Sequence, residues 1–237
     1  MADHTVTSFD QELKGLTTKI AEMGGLAEGL VGDAVTALTR MDTELAHKVM
    51  LTDARLDRLQ QEVEERAILV IARRQPMALD LREIMAALRI SNDLERVGDL
   101  AKNIAKRVTA MYGNFAAKKL VIGVEHLSEI ALEQLKDVLD AYALRDHAAA
   151  LQVRKRDDEI DALYTSLFRE LLTYMMEDPR NISFCTHLLF CAKNIERIGD
   201  HATNIAETVY FAATGEQLTT ERHKSDDSST LAAPDAK

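Results

Sequence analysis

The chain has 237 residues, with 29 Lys plus Arg against 39 Asp plus Glu and a net charge of −10. Aromatic residues make up only 5 %, Trp is absent and Pro occurs three times, a composition suited to long helices packed on one another rather than to sheets. So acidic a chain, with no basic stripe, is poorly suited to binding nucleic-acid phosphates or an anionic membrane surface, and suits cations or a partner with a basic face.

In chain order, apolar residues recur at three and four from about Ser8: Leu13, Leu16, Ile20, Met23, Leu26, Leu30, Ala34 and Leu38. The spacing predicts one helix to about Arg40. Gly24, Gly25, Gly29 and Gly32 fall inside it and are expected where a neighbouring helix comes close. Asp42 reads as an N-cap. A second helix then carries Leu45, Val49, Leu56, Leu59, Val63, Ala67 and Val70 inward. Arg73-Arg74-Gln75-Pro76 ends it, because a proline disfavours helix in the residue before it. A third helix is predicted from near Asp80 to Tyr112, closed by Gly113-Asn114.

The pattern then restarts. Helices are predicted at about 116–144, 147–176 and 181–213, followed by an acidic, Ser-rich tail over 216–237 expected to be disordered. The two halves are copies. Asp93-Leu94-Glu95-Arg96-Val97-Gly98-Asp99 returns, with substitutions, as Asn194-Ile195-Glu196-Arg197-Ile198-Gly199-Asp200 at an offset of 101, and Asp53 and Asp57 return as Asp157 and Asp161 at an offset of 104. The expected fold is all-α: a duplicated three-helix bundle of six long helices, with one repeat over 1–114 and the other over 115–215.

Cys185 and Cys191 are expected to be reduced core residues. The start of the chain lacks the basic region and apolar run of a signal peptide, and no window nears the ~20 apolar residues of a membrane span, so the chain reads as cytoplasmic. Met175 and Met176 are expected in the core at a helix end. The histidines show no ligand spacing.

Four acidic pairs stand at i, i+4: Asp53 with Asp57, Glu95 with Asp99, Asp157 with Asp161, and Glu196 with Asp200. That spacing stacks like charges on one helix face, where they repel slightly. Their levels are more telling. The first two pairs centre 21 residues before and 21 after Pro76, and the other two 20 before and 19 after Pro179. In an antiparallel hairpin, equal distance from the turn is equal height, about 30 Å from it at 1.5 Å per residue. Each repeat can therefore gather four carboxylates from two helices, an oxygen-only set suited to a hard or borderline cation such as iron, Mn²⁺ or Mg²⁺. Asn103 and Asn204 are expected to support the sites, and Arg96 and Arg197 to neutralise them or face a partner. Taken singly, an acidic pair is more simply a solvated face. A di-metal carboxylate enzyme would need Glu-x-x-His on core helices, and Gly98 and Gly199 stand where the histidines should be, so the chain is not expected to be an enzyme. A helical scaffold with no metal role is the other alternative.

The sequence resembles the PhoU family over about residues 8–215, most specifically in the Ala72-Arg73-Arg74-Gln75-Pro76-Met77-Ala78-Leu79-Asp80-Leu81-Arg82 segment and in the two Glu-Arg-Val/Ile-Gly-Asp motifs. The resemblance implies a duplicated three-helix bundle whose Glu/Asp-x-x-x-Asp motifs bind multinuclear metal clusters on the surface. It also implies a negative regulator of phosphate uptake and of the phosphate-starvation response. Its partners would be the ATPase subunit of the phosphate ABC transporter and the sensor histidine kinase, with membrane contact only through them, and a homodimer is plausible. The Arg73-Arg74 turn has no counterpart at Glu177-Asp178-Pro179-Arg180, so the two hairpin tips are expected to make different contacts.

Overall fold

A computed structural model describes residues 2–111 and 118–218, with side chains from residue 8 onward and excepting 118 and 119. Among them every regular element is helical: α1 (Ala2–Arg40), α2 (Thr43–Arg74), α3 (Leu79–Ala110), α4 (Lys118–Leu144), α5 (His147–Lys155), α6 (Asp157–Glu177) and α7 (Ile182–Thr214), with a 3₁₀ turn at Pro179–Asn181. The all-α expectation holds. The proposed close at Gly113-Asn114, and most of the tail, lie outside the described residues.

The two Asp caps are repeated features. Asp42 accepts from the Leu45 amide at 2.9 Å, and Asp146 accepts from the amides of Ala148 and Ala149 at 2.9 and 3.0 Å. One element departs from expectation. The helix predicted over 147–176 is broken at Arg156, whose carbonyl takes a hydrogen bond from Gln134 Nε2 on α4 at 2.8 Å. The Arg156 guanidinium is held there by Glu133 at 2.9 Å and Asp137 at 3.2 Å, also on α4. Residues more than a turn away in sequence thus compete for the backbone that would have continued the helix.

Helices α1, α3, α7 and α4 form a ring at the centre. α2 packs on α1 and α3 at one flank, and α5 and α6 pack on α4 and α7 at the other. One continuous apolar core runs through all of them, from Leu16 and Ile20 to Ile205 and Val209. α3 and α7 are antiparallel. Arg82 lies against Gly215, the Arg89 guanidinium sits 5.5 Å from the Phe211 ring, Asp93 meets Asn204, and Arg107 stacks 4.2 Å over Phe190. That register sets Gly98 and Gly199 level with each other, at the waist of the molecule.

The glycines of α1 divide. Gly24 faces Leu139, but Gly25, Gly29 and Gly32 have nothing within 4 Å of where a Cβ would stand, so they are not the close-packing positions expected. Met176 is 79 % exposed, while Met175 packs against the core. No helix among the described residues is long and apolar enough to cross a membrane.

Candidate metal centre

The repeated carboxylates fall at the two flanks, one set between α2 and α3 and the other between α6 and α7. Helix periodicity brings them beside the apolar seams: Asp53 precedes the buried Leu56 by one turn, and Glu95 follows the buried Leu94. Gly98 and Gly199 make the approach possible. A Cβ on Gly98 would collide with Leu56, and one on Gly199 would stand 2.6 Å from Ile160 Cδ1. Glycine at these two places lets the neighbouring helix close in at the level of the carboxylates.

In the first set, Asp53 is buried, while Asp57, Glu95 and Asp99 are half-buried. The four act on one another. Burial raises the Glu95 carboxyl above the ordinary range, and the negative charges of Asp99, Asp57 and Asp53 raise it further against Arg96. Burial raises Asp57 too, with Asp53 and Asp99 adding to it. Two cations answer this charge. Lys102 Nζ stands 2.5 Å from Asp53 Oδ2, and Arg96 reaches Asp99 at 3.3 Å and Glu95 at 3.4 Å. Arg96 thus stands against the two carboxylates of its own helix.

The second set is more enclosed. Asp157, Asp161 and Glu196 are all buried, and Asp200 is half-buried. Burial raises the Glu196 carboxyl, and nearby Asp200 and Asp161 add to the rise against Lys193. Lys193 Nζ reaches Glu196 Oε1 at 2.9 Å and lies 4.9 Å from the Tyr164 ring, while Glu196 Oε2 is buried without a hydrogen-bond partner. Asp157 Oδ1 accepts from the buried Thr203 hydroxyl at 3.0 Å.

A family model for the PhoU domain matches residues 20–108 and 124–209. The chain belongs to the PhoU family. It is 63 % identical to a phosphate-specific transport system accessory protein PhoU homolog of Rhizobium meliloti, over 96 % of either chain. A homolog so named from Caulobacter vibrioides is 52 % identical over 95 % of this chain and 98 % of its own. The crystal structure of PhoU from Pseudomonas aeruginosa superposes with a TM-score of 0.84 at 38 % identity, covering 88 % of this chain and all of that one. The family fold and the duplicated bundle are therefore the same object.

The donor set fits a hard cation: oxygen only, anionic, and including an orphaned carboxylate oxygen at Glu196 that a positive charge would satisfy. As the side chains stand, no three His, Cys, Asp or Glu among the described residues form a ready ligand group. Lys102 and Lys193 occupy the carboxylates instead, their ammonium groups standing where a cation's charge would be. The two asparagines stand in different surroundings. Asn103 is exposed, and Asn204 Nδ2 donates to Asp93 Oδ1 of α3 at 3.3 Å. Asn103 therefore points to solvent, and Asn204 serves the contact between the two repeats. Arg197 is exposed.

Sequence reasoning missed Lys102, Thr203, Lys193, Gln134 and the pair Asp93 and His201. A signal for the first two was present. Lys102 and Thr203 share the offset of 101 that relates the acidic motifs, one turn beyond Gly98 and Gly199.

Proposed function

We propose that this chain is a cytoplasmic negative regulator of phosphate uptake and of the phosphate-starvation response. In this reading it is a metal-binding helical adaptor between the phosphate ABC transporter ATPase and its sensor histidine kinase, working as a homodimer. The observation that carries the reading is end-to-end similarity to relatives named phosphate-specific transport system accessory protein. The geometry supports it: helices and two carboxylate sets at opposite flanks suit docking.

Asp53, Asp57, Glu95 and Asp99 would hold a cation at one flank, and Asp157, Asp161, Glu196 and Asp200 at the other. Bound iron, Mn²⁺ or Mg²⁺ would supply positive charge that relieves the repulsion among these buried carboxylates. The chain's own residues do the rest. Gly98 and Gly199 let α2 and α6 approach, Thr203 orients Asp157, and Arg96 screens the outer edge of the first set.

At the first hairpin tip, Arg74 is tied to Glu12 at 2.8 Å and to Ser8 at 2.6 Å, so Arg74 braces α2 against α1 and the exposed Arg73 is the arginine left to meet a partner. The second tip offers Met176 and the Asp178–Arg180 pair.

Deletion of the gene in the native host, with a phosphate-starvation reporter read in phosphate-rich medium, tests the reading. Reporter expression should switch on, and the unmutated gene should silence it. A reporter that stays off after deletion overturns the regulatory role. Charge reversal at Arg73, followed by co-purification with the transporter ATPase and the kinase, reports which partner the first tip serves.

A further inference from the structure

α3 and α7 together carry a row of arginines that no single stretch of sequence shows, because two helices share it. Arg89 and Arg107 stand eighteen residues apart on α3, five full turns, and so lie on one line of that helix. Each crosses to a ring of α7: the Arg89 guanidinium is 5.5 Å from the centre of Phe211, and that of Arg107 is 4.2 Å from the centre of Phe190. Arg197 is exposed and lies on the same line of α7 as the two rings, seven residues after Phe190 and fourteen before Phe211. Arg96, seven residues after Arg89, is exposed on α3. Because Gly98 and Gly199 are level, Arg197 stands at about the height of Leu100. Along the seam the order is therefore Arg89, Arg96, Arg197, Arg107, at steps of about 10, 6 and 10 Å.

The chain has 39 acidic residues against 29 basic ones, so an arginine has carboxylates in excess to choose from. Arg96 takes two of them, Glu95 and Asp99. Arg89, Arg107 and Arg197 make no ion pair among the described residues. Asp93, which lies between Arg89 and Arg96 on α3, is engaged by His201 and Asn204 across the seam instead. Taken singly, an exposed arginine is a solvated charge. Here the two at the ends of the row are fixed in place. A phenyl ring takes the face of a guanidinium and leaves the N–H donors around its edge free to fork onto a carboxylate. A side chain already held by a ring also loses less freedom when that carboxylate arrives.

We propose that the outer face of the α3–α7 seam is a docking site for an acidic segment of a partner protein, whose carboxylates fork onto Arg89, Arg197 and Arg107. Charge complementarity selects this occupant. A continuous polyanion such as a nucleic acid is repelled by the net charge of −10 and by Glu95 and Asp99 beside the row. A peptide can set discrete acids opposite the three arginines and none beside those carboxylates. The proposal adds a place and a partner chemistry to the adaptor reading and needs no metal. The reporter test of the regulatory role is separate, so either can fail alone.

The probe is a dye-labelled Glu/Ala peptide of about 25 residues, which as a helix spans about 38 Å and covers the row. Its binding to the full chain is read by fluorescence anisotropy at low salt. The Glu peptide should bind, a Gln/Ala peptide of the same length should not, and salt at about 0.3 M should weaken binding at least about tenfold. Arg89→Gln/Arg107→Gln should weaken it at least about tenfold, and Arg197→Gln about threefold. Arg197→Gln changes an exposed site and covers the case in which the double variant does not fold, which circular dichroism identifies. Lys48→Gln, at the α1–α2 flank where Lys48 reaches Asp33 at 3.3 Å, should leave binding unchanged.

Failure of the unmutated chain to bind the Glu peptide, or equal binding by the arginine variants, would overturn the proposal. Tighter binding of duplex DNA than of the peptide would overturn it in favour of a polyanion. A chain ended at Leu218 that binds the peptide when the full chain does not would give the seam to the chain's own acidic segment and overturn the partner reading.

Discussion

His201 of α7 and Asp93 of α3 face each other across the two repeats, Nδ1 2.8 Å from Oδ1, each side chain only 17 % exposed. The Asn204 amide donates to the same oxygen at 3.3 Å. Three side chains thus tie α3 to α7 close to the level of the carboxylate sets. Asp93→Ala should cost about 1–3 kcal/mol in urea unfolding, because it leaves two half-buried donors without their acceptor. In a double-mutant cycle with His201→Ala, the two losses should fall short of additive by at least about 0.5 kcal/mol. Additive losses would mean that the two side chains act independently.

Glycine substitutions should split by position. Gly98→Ala and Gly199→Ala place a methyl group against Leu56 and Ile160 and should destabilise by about 1–3 kcal/mol. Gly25→Ala and Gly29→Ala meet nothing within 4 Å and should stabilise α1 by about 0.5–1 kcal/mol each. Denaturant midpoints for the four variants check this directly.

The two cysteines should be inert in the native chain. Both are fully buried, and burial pushes the Cys191 thiol up to about 12 and raises that of Cys185. A disulfide-exchange reagent at neutral pH should therefore label neither in the native state and both in denaturant. Prompt labelling of Cys191 in the folded chain would contradict its placement.

Tyr142 should ionise late. Burial pushes its hydroxyl up to about 12, against the lowering effect of a hydrogen bond with Thr17. The sign follows from linkage. Between the ordinary tyrosine value near 10 and the raised one, the folded chain keeps a proton that the unfolded chain releases, so stability falls as pH rises through that window. An absorbance titration of the phenolates should show a late component that Tyr142→Phe removes, and that variant should lose less stability across the window.

Much of the fold could be read from residues near one another in sequence. The Asp42 cap, the stop before Pro76 and the apolar spacing of each helix depend on a turn or two of chain, and the repeated motif aligned the two halves. The break at Arg156 could not be read this way. It has no proline or glycine, and what makes it is the Gln134 amide on another helix. The carboxylate positions were legible because they recur at fixed offsets. The lysines seated among them were not, because Lys102 and Lys193 look like any charge on a solvated helix face until the neighbouring helix is in place. Asn204 lies one turn from Asp200, and the hydrogen bond its amide donates across the seam to Asp93 depends on a helix far away in sequence.

The antiparallel register of α3 and α7 has a consequence for anything that touches this molecule. Because Gly98 and Gly199 are level, both carboxylate sets ride at one latitude. Because α2 packs at one flank and the α5–α6 pair at the other, each set belongs to a different flank of the central α3–α7 pair. The shortest path from one set to the other runs through α3 and α7, the two central helices that carry Glu95 and Asp99 on one side and Glu196 and Asp200 on the other.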